Sequence, residues 1–423
     1  DQRYVFDVFY VRGGKQHDYV ALGPPSETTC EPSLGPVQEQ GTLAGPDVPY
    51  AHFYDHEEYA AAPLGSISYG GYRGSGFQYL FNVRRAPLNG QAVFEWRLKE
   101  PAEGHTKYPW EGIGLRAHLL GTGEEVIAAD SKPQSYDYLP DTIQYMLRRH
   151  GDIDHEVEGG LNSAFVTVYE PYEETPFIAQ VRPVSINPDD GQATAARIEL
   201  TDGMLHYVFH SLAPEQSYVL DEVVRVTGHC ACLVLDAGGQ PQKVMLYGGT
   251  ELGIGSWALQ GKGWQKTQVV SVDYESGVVQ LAAPLLTGPE QEGLTVLVEA
   301  DGFTDSLCIT EVLDETRFAL GDQDTRVAGG PVNEILPEQS RLVTSVATPH
   351  AKTGMTVLNG LLQPQRRWAE GDRVTVDRGD LGSLSADSFP SGADGSHPRF
   401  WVVMVGPGDD VWVPSLTVVE RVQ

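Results

Sequence analysis

The sequence is poor in cysteine, in positive charge and in long apolar runs, and each shortage removes a class of protein. Four cysteines in 423 residues are too few for a disulfide scaffold. Twenty-nine Lys and Arg stand against 58 Asp and Glu, a formal charge of −29, so neither nucleic acid nor an anionic membrane surface is expected as a partner. No run approaches about eighteen consecutive apolar residues, so no membrane span is expected. No basic segment leads into an apolar one, so any export signal is expected to have been removed or to lie outside this sequence. Also missing are the G-x-S-x-G elbow, the P-loop and the dinucleotide fingerprint, and the sequence names no cofactor. Adjacent acids such as Asp189-Asp190 and Glu173-Glu174 point to opposite faces of a strand, so they make no two-carboxylate glycosidase site.

What is there is β texture. Forty-seven glycines and 28 prolines separate short runs rich in Val, Leu and Tyr. Strands are expected at 76–83, 92–98, 114–120, 163–169 and 177–184. A further set follows at 196–200, 205–210, 219–226, 231–235, 243–247, 268–272, 278–281, 294–299, 341–346, 372–376 and 400–405. Residues 141–150 are ambiguous, because Ile143, Met146 and Leu147 have helical spacing over a marginal length. Residues 23–49 and 385–398 read as surface loops. The predicted architecture is all-β: a large antiparallel β-sandwich over 1–187, supersandwich-like, followed by smaller β-sandwich or barrel modules at 188–337 and 338–423.

Residues 1–19 organise the rest. Val5, Asp7, Phe9 and Val11 alternate with Tyr4, Phe6, Val8 and Tyr10, so both faces are largely apolar or aromatic. This predicts a strand buried between two layers. Gly13-Gly14 then predict a turn into a return strand starting at Lys15. A strand of this kind at the start of the sequence reads as the continuation of something larger.

The string Tyr4-Val5-Phe6-Asp7-Val8-Phe9…Arg12-Gly13-Gly14…His17-Asp18-Tyr19 resembles the later part of the β domain of heparinase II/III-like polysaccharide lyases. A second string, Asn162-Ser163-Ala164-Phe165-Val166-Thr167-Val168-Tyr169-Glu170-Pro171-Tyr172, is similar to a strand further along that domain. The likeness covers roughly residues 1–185. It implies an exported protein, secreted or periplasmic, that acts on a uronic-acid polysaccharide by β-elimination. In that family, a tyrosine and a histidine from a helical toroid remove the proton beside the uronate carboxyl, once donors have neutralised its charge. No residue here matches that catalytic pair. The resemblance therefore implies a helical toroid as partner chain or missing N-terminal domain, and a chain inactive by itself. The reading from another class is a non-catalytic extracellular β-protein for glycan binding or assembly.

Six residues are candidate substrate contacts: His17, Tyr19, His52, Tyr54, Arg84 and Arg85. His17 and Tyr19 share a strand face and suit sugar hydroxyls; alternatively the His-Asp pair satisfies backbone groups or Arg12. Residues 50–59 (YAHFYDHEEY) mix aromatics and carboxylates, as sugar stacking requires. His52 and His56 have the spacing of a helical metal pair, but no H-E-x-x-H order accompanies them, and an ordinary surface loop is the competing reading. Arg84-Arg85 and Arg148-Arg149-His150 could grip a carboxylate or sulfate bidentately, or pair with nearby acids. Trp257, Trp264, Trp401 and Trp412 suit either core packing or a sugar platform. Cys230 and Cys232 share a strand face beside His229 and read as a buried thiol pair. No metal ligand is assigned.

Overall fold

The computed structural model describes residues 2–23, 25–55, 74–98, 111–132, 142–155, 157–273, 276–300, 303–321, 326–336, 341–344, 356–357, 373–374 and 400–419, with side chains undescribed at 303, 326–336, 341–344, 356–357, 373–374 and 400–404. His56, the 385–398 loop, the boundary expected near residue 337 and the side chain of Trp401 lie outside them. Strands dominate, and the only helical pieces among the described residues are single 3-10 turns. Among the described residues none of the sheets closes into a barrel. The chain divides into two compact units: 1–245 with 253–257 and 418–423, and 246–252 with 258–417.

In the first unit the strands are β1 (Val5–Arg12), β2 (Gln16–Leu22), β3 (Ser26–Glu31), β4 (Phe81–Leu98), β5 (Ile113–Ser131), β6 (Ile143–Gly151), β7 (Asn162–Glu173), β8 (Ile178–Pro183), β9 (Ile186–Asn187), β10 (Ala193–Leu200), β11 (Leu205–Ser211), β12 (Ser217–Leu220), β13 (Val224–Thr227), β14 (Cys230–Leu235) and β15 (Pro241–Tyr247). β4 and β5 pair antiparallel from Phe81↔Asp130 to Arg97↔Gly114. β5 then serves two partners. Its first half, to Leu120, pairs with β7, and its second half, from Glu124, pairs with β6. The sheet forks at residues 121–123. β1 extends the β7 branch and β2 extends the β6 branch.

The turn expected at Gly13-Gly14 therefore does not close a hairpin. β1 and β2 are held by different strands, and backbone bonds from Gly13 N to Leu161 O (2.8 Å) and Leu161 N to Gly14 O (3.0 Å) fix the link to the start of β7. Residues 141–150 are likewise not helical. β6 has a ladder on each side, which puts Met146, Arg148 and His150 on one face and Tyr145, Leu147 and Arg149 on the other. The strand expected at 76–83 begins only at Phe81, after a 3-10 turn at Phe77–Tyr79. The one expected at 219–226 is two, because Asp221 and Glu222 adopt positive φ (47° and 63°) and turn the chain.

One core fills the space between the branches. Phe94, Trp96, Ala117 and Leu119 come from one half of the β4–β5 pair, and Leu88, Val126, Ala128 and Met146 from the other branch, with Tyr19, Ala21 and Tyr169 packed against them. The opposite face of the β7 branch (Tyr4, Phe6, Val8, Val166, Val168) meets Ile178, Val181, Ala196, Ile198 and Val208 of a second sheet, ordered β15-β14-β11-β10-β8. β10, β11 and β14, expected beyond a boundary at 187, thus belong to the first unit. This sheet-on-sheet stacking makes it a multilayered antiparallel sandwich. β1 is an edge strand, contrary to burial on both faces: Val5 and Phe9 remain 58% and 49% exposed.

The second unit has its own core of Val269, Val279, Val296, Val298, Phe318 and Val411, built on an antiparallel sheet.

Gly23 ends β2 against the ring of Trp96, which is fully buried. A Cβ there would overlap the indole Nε1, Cδ1 and Cε2. Gly23→Ala should therefore lower stability by about 1–3 kcal/mol, since a rigid core ring cannot retreat. An unchanged thermal midpoint would count against this packing.

Candidate functional site

Alternation along β2 turns His17, Tyr19 and Ala21 toward the core between the branches, where they meet the same-facing residues of β1 and β7. Tyr19 stacks on Phe165 at 5.6 Å and lies 6.1 Å from the ring of exposed Phe9. Its hydroxyl donates to Asp7 Oδ2 at 2.7 Å. That uses its only proton, so the 2.7 Å contact with Tyr169 is donated by Tyr169. Burial, reinforced by the bonds to Tyr169 and Asp7, holds the Tyr19 phenol well above its ordinary pKa, and burial raises Tyr169 too. Tyr19 is a hydrogen-bond donor at neutral pH and not a base.

His17 is buried and bonded at both ring nitrogens, Nδ1 to Ser163 Oγ at 2.7 Å and Nε2 to the Gly13 carbonyl. A carbonyl only accepts, so Nε2 carries hydrogen. In the neutral ring Nδ1 is then bare and takes the Ser163 proton. Ser163 Oγ in turn accepts from His150 Nδ1 at 2.8 Å. The result is a directed chain from His150 through Ser163 and His17 to Gly13. Asp18, on the other face, pairs with Arg149 Nε at 2.7 Å and accepts Gln16 Nε2 at 2.7 Å. Arg12, weighed as its partner, instead donates to Gln192 at 3.2 Å.

The six sequence candidates do not form one site. Tyr54 is exposed, with its hydroxyl 3.2 Å from Ser75 Oγ, and His52 is half-buried in the same loop. Arg85 Nη1 lies 3.4 Å from Glu125 Oε2. Arg84, its neighbour on the strand, faces the other way and acts on the Cys30 thiol, whose pKa burial nonetheless lifts to about 11. No side-chain hydrogen bond or ion pair joins His17 and Tyr19 to either of the other pairs. The structure brings together instead Asp7, His17, Tyr19, His150, Ser163 and Tyr169. Asp7, Ser163 and Tyr169 were not candidates and His150 was weighed only within a basic patch, although alternation within the two strings puts Asp7, Ser163 and Tyr169 on one face and could have found them.

A second polar cluster lies on the other face of the β7 branch, the one that carries Val166 and Val168. Glu95 accepts Tyr172 Oη at 2.6 Å and Arg116 Nε at 3.0 Å, with Arg97 Nε at 3.3 Å. Burial pushes the Glu95 carboxyl up, but Tyr172 and the two guanidinium groups outweigh it and the net shift is downward.

No model of a known protein family matches the chain, and no curated protein matches it.

Proposed function

We propose that the chain is the β portion of an exported polysaccharide lyase acting on a uronic-acid-containing glycan. Its β1–β2–β7 region forms one wall beside the sugar, and a helical toroid supplies the tyrosine and histidine that remove the proton. One observation carries this reading. The two strings that bear the resemblance form a single antiparallel ladder, Val5↔Tyr169 to Arg12↔Asn162, and their polar side chains interlock across 146 and 150 residues of chain, His17 with Ser163 and Tyr19 with Tyr169. Beside them, exposed Phe9 offers a ring for sugar C–H groups, and Asp7 an acceptor for hydroxyls.

The committed state of Tyr19 favours a second reading, a non-catalytic β-protein that holds glycan or assembles on it. Both readings are tested by titrating the chain with alginate, heparan, chondroitin and ulvan oligosaccharides. Saturable binding to one of them is expected, weakened about tenfold by Phe9→Ala. Unsaturated uronic ends absorbing in the near ultraviolet, formed once a helical partner is added, select the lyase; binding without them selects the second reading. No binding across the panel removes both.

A further inference from the structure

In the second sheet of the first unit, His210 of β11 stands directly opposite Cys230 of β14. His229 precedes β14 in a turn, where its carbonyl accepts Ser211 N–H at 2.8 Å. Its ring meets that of His210 edge to face, with centroids 4.8 Å apart. Ligand atoms of His210, His229 and Cys230 all lie within 4.8 Å of one another. Tyr10, from β1, places its hydroxyl 3.3 Å from His210 Nδ1 and 3.2 Å from Thr194 Oγ1.

We propose that His210, His229 and Cys230 bind a divalent transition-metal ion, zinc, with Tyr10 as the positioning residue for His210 and the fourth coordination place open to water or an outside ligand. Two imidazoles and a thiolate form a donor set that calcium and magnesium, which take oxygen, do not use, whereas zinc does. Tetrahedral bonds of ordinary length set such donors roughly 3.3–3.7 Å apart, a little inside the 4.8 Å within which they stand here. In the arrangement in which Tyr10 gives its proton to Thr194, its oxygen accepts Nδ1–H of His210. The other ring nitrogen is then bare for the metal, the usual outer support of a zinc histidine.

Protonation agrees with the geometry. Burial lowers the His210 imidazole to about 4, with His229 adding to the effect, and burial lowers His229 as well, so no proton competes for either ring at neutral pH. Burial lifts the Cys230 thiol to about 11. Binding therefore replaces the S–H proton by the metal and releases that proton to solvent. The acidic chain as a whole favours the approach of a cation.

Cobalt is the probe. Adding Co²⁺ to the whole chain should develop a thiolate-to-cobalt charge-transfer band and the strong visible bands of a tetrahedral ion, and Zn²⁺ should bleach both. Cys230→Ser should remove the charge-transfer band. Tyr10→Phe should keep it while weakening binding about ten- to a hundredfold. A measurement on the unaltered chain covers variants that fail to fold: Zn²⁺ should slow alkylation of Cys230, read by peptide mass, and leave Cys30 and Cys308 unchanged. A cobalt spectrum without the thiolate band, a band that survives in Cys230→Ser, or equal alkylation of Cys230 with and without Zn²⁺ would overturn the site.

Discussion

Replacing Arg148 by methionine should remove about 3–5 kcal/mol of unfolding free energy, seen as a lower urea midpoint at unchanged slope. The side chain is fully buried and uses every donor it has. Nε and Nη2 grip the two oxygens of Glu124 at 2.8 and 3.0 Å. Nη2 also reaches Leu120 O at 2.7 Å, and Nη1 reaches Val166 O at 2.7 Å and Thr167 Oγ1 at 3.1 Å. Leu120 and Val166 are opposite one another at the end of the β5–β7 ladder, where β5 leaves β7 for β6. The guanidinium thus supplies the hydrogen bonds that the fork takes from the backbone. Gly121 is part of the same device, because a Cβ there would overlap both the Glu124 carboxylate and the guanidinium. Methionine fills the space but leaves a buried carboxylate and three acceptors without donors.

The loss should depend on pH in a definite direction. Burial holds the Glu124 carboxyl above its ordinary 4.5, while Arg148 pulls it down. A group whose folded pKa is raised contributes stability below its unfolded pKa and loses that contribution as pH rises through the folded one. Without Arg148 the opposing pull disappears and the folded pKa climbs further. The deficit of Arg148→Met should therefore be largest at neutral pH and shrink on acidification. Adding Glu124→Leu should restore much of it, because a buried ion pair replaced whole by apolar groups is often neutral. A deficit that is the same at neutral and mildly acidic pH would refute this coupling.

The fork explains which parts of the fold could be read in advance. Alternation of apolar residues revealed most strands, because each strand's own pleat writes that pattern. It did not reveal that residues 92–98 and 114–120 are pieces of strands 18 and 19 residues long. Pro87, Asn89-Gly90 and Gly121-Thr122-Gly123 have the chemistry of turns, yet here they sit in continuous strands with an irregular register at Leu88/Asn89. Arg148-Arg149 read as a basic patch. Adjacent strand residues face opposite ways, so one became the buried fork residue and the other the partner of Asp18. Cys230 read as the partner of Cys232, with His229 merely beside it, and His210, twenty residues before Cys230, comes opposite it only through the β11–β14 register. Partners set by register across strands leave no local trace in the sequence.

Glu170→Ala should be nearly as damaging, at about 3–5 kcal/mol, as the sum of several buried groups left unpaired. Glu170 is fully buried on β7, in the second of the two resemblance strings. Oε1 accepts the backbone N–H of both Phe177 and Ile178 at 2.6 Å, and Oε2 accepts His118 Nε2–H at 2.9 Å. The carboxylate thereby ties the chain back to β7 after the turn at Glu174, whose φ is 59°. That tie sets where β8 starts, and so seats Phe177 and Ile178 in the core between the two sheets. Glutamine keeps an oxygen for the two amides and should cost only about 1–2 kcal/mol. Hydrogen exchange discriminates this from simple loss of packing: in Glu170→Ala the Phe177 and Ile178 amides should exchange faster relative to those of β4 and β5, whereas in Glu170→Gln they should stay protected. Amides that remain protected in the alanine variant would mean that the second sheet is seated by its apolar contacts alone, with the carboxylate only filling space.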